Sequence, residues 1–220
     1  MPLWSRVVLS FAFRFGCYAV MLWLVLWNEA RPAPSLPDTV LDVVPYVAWI
    51  DRNNYLLWLI SYVPVGLLLL KQDAERFVRY MVSAGLLAVV RGVCVALTGL
   101  GPVHGADVNA GMTSEARSAA FWQLVNPFNF FTPGGSAQVY LTKDLFFSGH
   151  TGTTLLLLLY VWRYPRLRLA MIAGHVLVVT SLFFSHLHYT IDVVGGYAIT
   201  FSLYALREAN VRKLLIGETA

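Results

Sequence analysis

Apolar residues fall into six runs along the chain, at about 7–27, 54–70, 77–100, 147–163, 167–187 and 189–208. A membrane-crossing helix needs roughly 17–25 predominantly apolar residues, so each run predicts one span. The second and fourth runs are short, and the last two are nearly continuous. Between the first two lies RPAPSLPDTVLDVVPYVAWIDRNN, from Arg31 to Asn54. Its prolines at 32, 34, 37 and 45 argue against a long regular helix, because proline lacks a backbone donor and clashes with the preceding turn. A second polar stretch, from about Gly101 to Asp144, is rich in Gly, Asn, Pro and Ser. The pattern predicts an all-α polytopic membrane protein with six transmembrane helices. It predicts one integral-membrane domain over 1–220, with outer loops at about 28–53 and 101–146. Arg6 ahead of the first run has the charge of a signal-peptide start. Arg14 interrupts that run and no clear A-x-A site follows, so a retained first helix is expected.

Composition narrows the class. Hydrophobic residues make up 58 % and charged residues 13 %, with a mean hydropathy of +0.63. Soluble domains run at about 45–50 % apolar and about 25 % charged. An ordinary cytosolic enzyme, a disordered chain and a nucleic-acid binder are thereby excluded. The net charge of +4 matters for where it lies. Arg6, then Lys71, Arg76 and Arg79, then Arg163, Arg166 and Arg168, then Arg207, Arg212 and Lys213 fall on one side of the six-span arrangement. The other side has Arg31, Arg52, Arg117 and Lys143. Short loops rich in Lys and Arg stay cytoplasmic, so both termini are expected inside and both long loops outside. Most acids, including Glu29, Asp38, Asp42, Asp51, Asp107, Glu115 and Asp144, then lie outside. Cys17 and Cys94 sit within apolar runs and form neither a disulfide framework nor a metal cluster.

Ionisable groups at membrane depth are costly and mark function by default. His150, in KDLFFSGHTGTT, lies at the outer end of the fourth run. His188 and Asp192, in SHLHYTIDVVGGY, lie at the outer end of the sixth. The topology brings both segments to one membrane face. Residues four apart share a helix face, so Asp192 is placed to hold one imidazole nitrogen of His188 and fix its tautomer. Two imidazoles and a carboxylate suit phosphoryl transfer, with one His attacking phosphorus and the other serving the leaving and entering oxygens. The plainer reading is that two polar turns cap two helices, with Ser148 and Thr190 as helix-end residues. A two-His, one-carboxylate metal site has the right ligand types, but the Ser-Gly-His-Thr context favours phosphate.

These residues resemble the sphingomyelin synthase family, itself related to the lipid phosphate phosphatases. The match covers PSLPD (Pro34 to Asp38), RGVCVALTGLGP from Arg91, DLFFSGHT (Asp144 to Thr151) and HYTIDVVGGY (His188 to Tyr197), in the family's order. The resemblance implies His188 as nucleophile, Asp192 as its partner and His150 as general acid, then general base. It implies six spans and a site facing the exterior, periplasmic or lumenal side. Thr142-Lys143 stand where the family often has Cys-Gly, and Tyr204 and Arg207-Glu208 replace its distal Phe and Tyr-His pattern. The phosphatase motif K-x6-R-P is absent, and Leu182 follows Ser181 where that class has Arg. Transfer to a lipid alcohol (ceramide or diacylglycerol) from a phospholipid donor is therefore favoured over hydrolysis by water, with no metal or organic cofactor. A non-catalytic lipid-binding protein is the remaining alternative.

Further candidates surround the triad. Arg91, inside the third apolar run, either binds phosphate oxygens or pairs with a buried acid. Lys143 either adds charge at the headgroup or is a solvated loop residue. Asp144 either tunes a histidine, contacts a headgroup amine or caps the fourth helix. Ser148, Tyr189 and Tyr197 are counted with the substrate-binding set, the tyrosines also fitting a packing role. His186 is a site-edge candidate, His175 a packing residue and His104 a solvated loop residue. Gly195-Gly196 are expected to permit close helix packing.

Overall fold

The computed structural model describes residues 1–126 and 141–208. Arg212, Lys213 and residues 127–140 of the second outer loop lie outside the described residues. Seven helices and no strands occur among the described residues: α1 (Leu3–Glu29), α2 (Ala48–Gln72), α3 (Ala74–Thr98), α4 (Ser114–Val125), α5 (Gly149–Val161), α6 (Pro165–Phe184) and α7 (Thr190–Glu208).

Local chemistry sets the boundaries. The Asp73 side chain accepts from the Arg76 N–H and starts α3. Gly99, at φ 55°, ends that helix in the left-handed region. Tyr164-Pro165 starts α6, with proline where no intrahelical donor is needed. The Pro-rich segment is non-helical from Pro32 to Val47, as its prolines require. The second loop carries the twelve-residue α4, which the loop-like composition did not predict. It packs through Ala120 and Phe121 against Leu22 and Leu26 of α1.

Four helices, α1, α2, α3 and α6, are long and apolar enough to cross a membrane. The fourth apolar run yields only the thirteen residues of α5. At 1.5 Å per residue that is about 20 Å, short of a hydrocarbon core of about 30 Å. An irregular segment, Thr142 to Ser148, leads into it, with Lys143, Leu145, Phe147 and Ser148 buried. Around it α3 and α5 form the centre, with α1, α2, α6 and α7 packed outside. Tyr80, Leu87, Phe147, Leu156, Tyr160 and Met171 anchor the main core. A Cβ on Gly196 would lie 3.0 Å from the Thr151 Cβ, so the glycine pair does bring α7 close to α5.

Opposite ends of the bundle differ in chemistry. At one end basic residues pair with acids: Arg6 with Glu75 at 2.5 Å, Arg79 with Glu208 at 3.2 Å, and Arg163 with Asp73. Burial opposes ionisation of Asp73, but hydrogen bonds from Tyr164 and the Arg76 N–H, with Arg163 beside it, hold its carboxyl below the ordinary value. At the other end the histidine motifs meet.

Candidate active site

Buried non-helical backbone needs its polar groups satisfied by other parts of the protein. The segment leading into α5 meets this with buried side chains from elsewhere. Glu29, at the end of α1, accepts from the Lys143 N–H at 2.5 Å and the Thr142 hydroxyl at 3.1 Å. Asn28 donates to the Lys143 carbonyl at 3.0 Å. Arg91 of α3 donates from Nη2 to the Asp144 carbonyl at 2.9 Å and from Nε to the Phe147 carbonyl at 2.8 Å. Its Nη1 pairs with the Asp144 carboxylate at 2.6 Å. Gly149 lets the guanidinium lie against the backbone, since a Cβ there would be 2.9 Å from Nε.

Ser148 then caps α5. Its Oγ accepts from the Thr151 N–H at 3.3 Å, and its own N–H donates to the Asp192 carbonyl at 3.0 Å. That second bond ties the two histidine motifs together. Ser148 is thus a fully buried helix cap and is not among the residues that line the cavity described below. Asp144, five residues ahead of α5, is Arg91's partner rather than a helix cap.

The second motif differs from a simple helical pair. Helix α7 starts at Thr190, so His188 precedes it. Asp192 sits in the first turn and reaches back: its Oδ2 accepts from the Tyr189 N–H at 3.0 Å and lies 3.3 Å from His188 Nδ1. The carboxylate therefore closes a capping box and holds the imidazole with the same oxygen. Asp38 of the PSLPD motif braces this turn from outside, its Oδ2 accepting from the Thr190 N–H at 2.6 Å and its Oδ1 from the Thr190 hydroxyl at 2.9 Å. Burial works to raise the Asp38 carboxyl, but these bonds and those from the Leu41 and Val40 N–H groups hold it below the ordinary value.

Tyr189 completes the brace. Its hydroxyl accepts from the Leu36 N–H at 3.0 Å and lies 3.1 Å from the Gly101 and Pro102 carbonyls. The Gly101 N–H donates to the Pro34 carbonyl at 2.9 Å, and a Cβ on Gly101 would lie 2.4 Å from the Ala33 carbonyl oxygen. All four motifs are joined in one structure: two carry the histidines, and the other two lock them in place.

The rings of His150 and His188 lie 6.2 Å apart at 65°. Trp58 stands edge-on to His150 at 5.7 Å. Both histidines open on a cavity of about 290 Å³, also lined by Arg91, Asp144, Asp51, His104 and His186. Lys143, Tyr189 and Tyr197 are not brought to it. Lys143 is buried with Nζ on the Asp107 carboxylate at 2.6 Å and the Arg31 carbonyl at 2.7 Å, so it is not solvated and turns away from the cavity. Tyr197 bonds His175 Nε2 at 2.7 Å, and His175 Nδ1 meets the Thr154 hydroxyl at 2.7 Å. His104 lines the cavity rather than standing free. Asn28, Glu29 and Asp51 belong to none of the four motifs; an acid at the end of an apolar run is the signal the sequence carries for Glu29. Among the described residues, no three His, Cys, Asp or Glu side chains are grouped to hold a metal.

Chemically, one imidazole is oriented by a carboxylate through Nδ1, leaving Nε2 as the atom able to attack or accept a proton. A second imidazole and an immobilised guanidinium share its cavity. Residues 143–209 match the PAP2 superfamily C-terminal family. Over 242 aligned positions the chain is 27 % identical to the Homo sapiens protein named phosphatidylcholine:ceramide cholinephosphotransferase 1, covering 96 % of this chain and 57 % of that protein. The Sus scrofa protein of that name is also 27 % identical, covering 96 % and 56 %. The chain spans a little over half the length of the curated relatives it matches. These matches bear out the resemblance to the sphingomyelin synthases and their phosphatase relatives and, with the long apolar helices, support an integral membrane protein.

Proposed function

We propose that this chain is a membrane phosphotransferase moving a phosphoryl headgroup from a phospholipid to a lipid alcohol of the ceramide or diacylglycerol class. The observation that carries the reading is the cavity in which Asp192-held His188 and His150 face each other beside Arg91. In the first half-reaction His188 Nε2 forms a bond to phosphorus, and the bond to the diacylglycerol oxygen breaks. His150 gives that oxygen its proton, and diacylglycerol leaves. In the second, the acceptor hydroxyl gives its proton to His150 and attacks phosphorus. The P–N bond breaks and His188 is restored. Asp192 stabilises the imidazole in the required tautomer throughout. Arg91 holds the His150 segment and leaves a face of its guanidinium on the cavity.

The same reading includes six spans, with α5 and its irregular lead-in as the fourth and α7 as the sixth. Both termini lie in the cytoplasm, because the arginine-rich end of the bundle is opposite the cavity. The active site then faces the exterior, periplasmic or lumenal side, where an outer-leaflet phospholipid enters. The test is lipid mass spectrometry on purified protein given a headgroup-labelled phospholipid, with and without ceramide. A new phosphosphingolipid, lost in His188→Ala and His150→Ala, supports transfer. Free phosphate or free phospho-headgroup released at the same rate without ceramide assigns a hydrolase instead. No turnover of any donor overturns the enzymatic reading.

A further inference from the structure

The two outer loops meet at the cavity, and the transfer chemistry does not use the contact between them. The first loop clamps the second at two points. On one side the Gly101 N–H donates to the Pro34 carbonyl at 2.9 Å and the Ser35 hydroxyl to the Pro102 carbonyl at 2.7 Å. On the other the Tyr46 ring stacks on His104 at 4.6 Å and 21°. Between these points lies Val103, which lines the cavity next to His104. Val103 also packs against a buried apolar cluster of Leu41 from the first loop, Leu145 from the α5 lead-in and Tyr189. His104 lines the cavity and is also exposed to the outside, which places it at the mouth.

A third ring completes the group. His186, which also lines the cavity, meets Tyr46 edge-on at 5.7 Å and His104 at 6.2 Å and 86°. The three rings come from three separate segments: the first loop, the second loop and the turn between α6 and α7. Each outer ring is anchored. The Tyr46 hydroxyl donates to Asp51 Oδ2 at 2.8 Å, and His186 Nε2 bonds the Val44 carbonyl at 2.9 Å. The Val47 N–H donates to the Phe184 carbonyl at 2.7 Å and ties the first loop to the end of α6. That helix ends in a Schellman turn: the His186 N–H donates to the Phe183 carbonyl at 3.2 Å and the Leu187 N–H to the Leu182 carbonyl at 3.3 Å. The left-handed position of such a turn normally takes glycine, yet here it holds His186 at φ 49°. Glycine there would leave the place of the third ring open.

We propose that the Tyr46–His104–His186 ring cluster is a water barrier at the cavity mouth, and that it sets the preference for a lipid alcohol over water as acceptor. This rests on the phosphotransferase reading. In that reaction phosphorus stays on His188 while diacylglycerol leaves and the acceptor enters. A water reaching the cavity in that interval gives a proton to His150 and bonds to phosphorus through its oxygen. The P–N bond breaks and the phosphorylated headgroup is lost to solution. Bulk water far outnumbers any lipid alcohol, so transfer needs a site that excludes it. A lipid acceptor arrives from the bilayer, so a mouth closed toward water does not shut it out. With the rings in place His188 is only 4 % exposed.

Two readouts on the purified full chain in nanodiscs test this, one of them independent of turnover. The first is the rate at which water-borne diethyl pyrocarbonate modifies His188, mapped by mass spectrometry. Tyr46→Ala and His104→Ala are expected to raise it on the order of tenfold, the shift in opening that loss of one aromatic pair provides. Tyr46→Phe keeps the ring and should stay within about twofold of wild type. Both truncated side chains reach the surface, so the core is left intact, and a melting curve on each sample checks this. The second readout is the ratio of released phospho-headgroup to phosphosphingolipid, from a headgroup-labelled phospholipid with ceramide present. It should rise on the order of tenfold in the same two variants. An unchanged His188 rate in both alanine variants overturns the barrier. A faster His188 rate with an unchanged product ratio overturns its role in acceptor choice. Faster modification in the variants, with no turnover by wild type, defeats the phosphotransferase reading and leaves the barrier standing. Hydrolysis without transfer by wild type overturns both.

Discussion

Asp38 lies outside the cavity, yet under the proposed reaction turnover is expected to depend on it. Asp38→Ala removes both acceptors of the Thr190 N–H and hydroxyl, and those to Val40 and Leu41 at 3.0 and 3.3 Å. Loss of a helix N-cap costs about 1 kcal/mol, and a charged acceptor at a helix start adds roughly 0.3–1 kcal/mol. The total, about 1–2 kcal/mol, lowers the melting temperature by about 2–8 °C in a chain of this size. Thr190 sits two residues from both His188 and Asp192, so fraying its turn lets the imidazole drift. A displacement near 1 Å costs up to about 100-fold in rate. Tyr189 still holds the turn to Gly101 and Pro102, so a fall of about tenfold in kcat is expected, with little change in KM. Asp38→Asn keeps one acceptor and should fall between.

The pH dependence has a defined sign. Asp38 is held below its ordinary value, so its contribution is complete above about pH 4, the unfolded carboxylate value, and is lost as pH falls through the lower folded-state value. Between pH 5 and 8 the Asp38→Ala defect should therefore be constant. The assay is transfer to a fluorescent ceramide in nanodiscs, with a melting curve on the same sample. A kcat within twofold of wild type, with an unchanged melting temperature, would refute the bracing role.

Other outcomes follow from the same network. Arg91→Lys keeps the charge but cannot reach the Phe147 carbonyl, the Asp144 carbonyl and the Asp144 carboxylate together. It should lose about 1–3 kcal/mol of stability and much of kcat, which melting and kinetics on one preparation will check. Gly149→Ala places a Cβ 2.9 Å from Arg91 Nε; a loss of about 1–3 kcal/mol in melting experiments is expected, additive with Arg91→Lys only if the two do not touch. Lys143→Met should destabilise by about 1–3 kcal/mol with the donor KM unchanged, because its ammonium serves Asp107 and Arg31. A raised KM at unchanged stability would return Lys143 to the headgroup.

The corner where the histidines meet was legible in the sequence because its residues are contiguous within motifs: Ser148 to Thr151 form one turn, and His188 to Asp192 another. The Pro-rich PSLPD was legible as a motif but not as a part, since Asp38 meets Thr190 across 152 residues. The supports of the α5 lead-in were harder to read. Glu29 and Lys143 are 114 apart in sequence, and hydropathy alone cannot tell an acid ending a helix in water from one bonded to a buried loop. Lys143 misled for the same reason, its neighbour Asp144 facing the cavity while it turns the other way. Reading His188 and Asp192 as one helix face found the contact but not its form, because α7 begins between them. The fourth run read as a full span; the glycines, serine and threonines at its start mark where helix gives way to a buried irregular segment.

The central claim, a covalent bond between phosphorus and His188, is tested most directly by acid-free rapid quench with a phosphorus-labelled phospholipid and no acceptor. The account predicts an acid-labile, base-stable label on the wild-type chain, mapped to His188, absent from His188→Ala and discharged into lipid product when ceramide or diacylglycerol is added. Transfer at full rate with no label on the protein under the same conditions would contradict it.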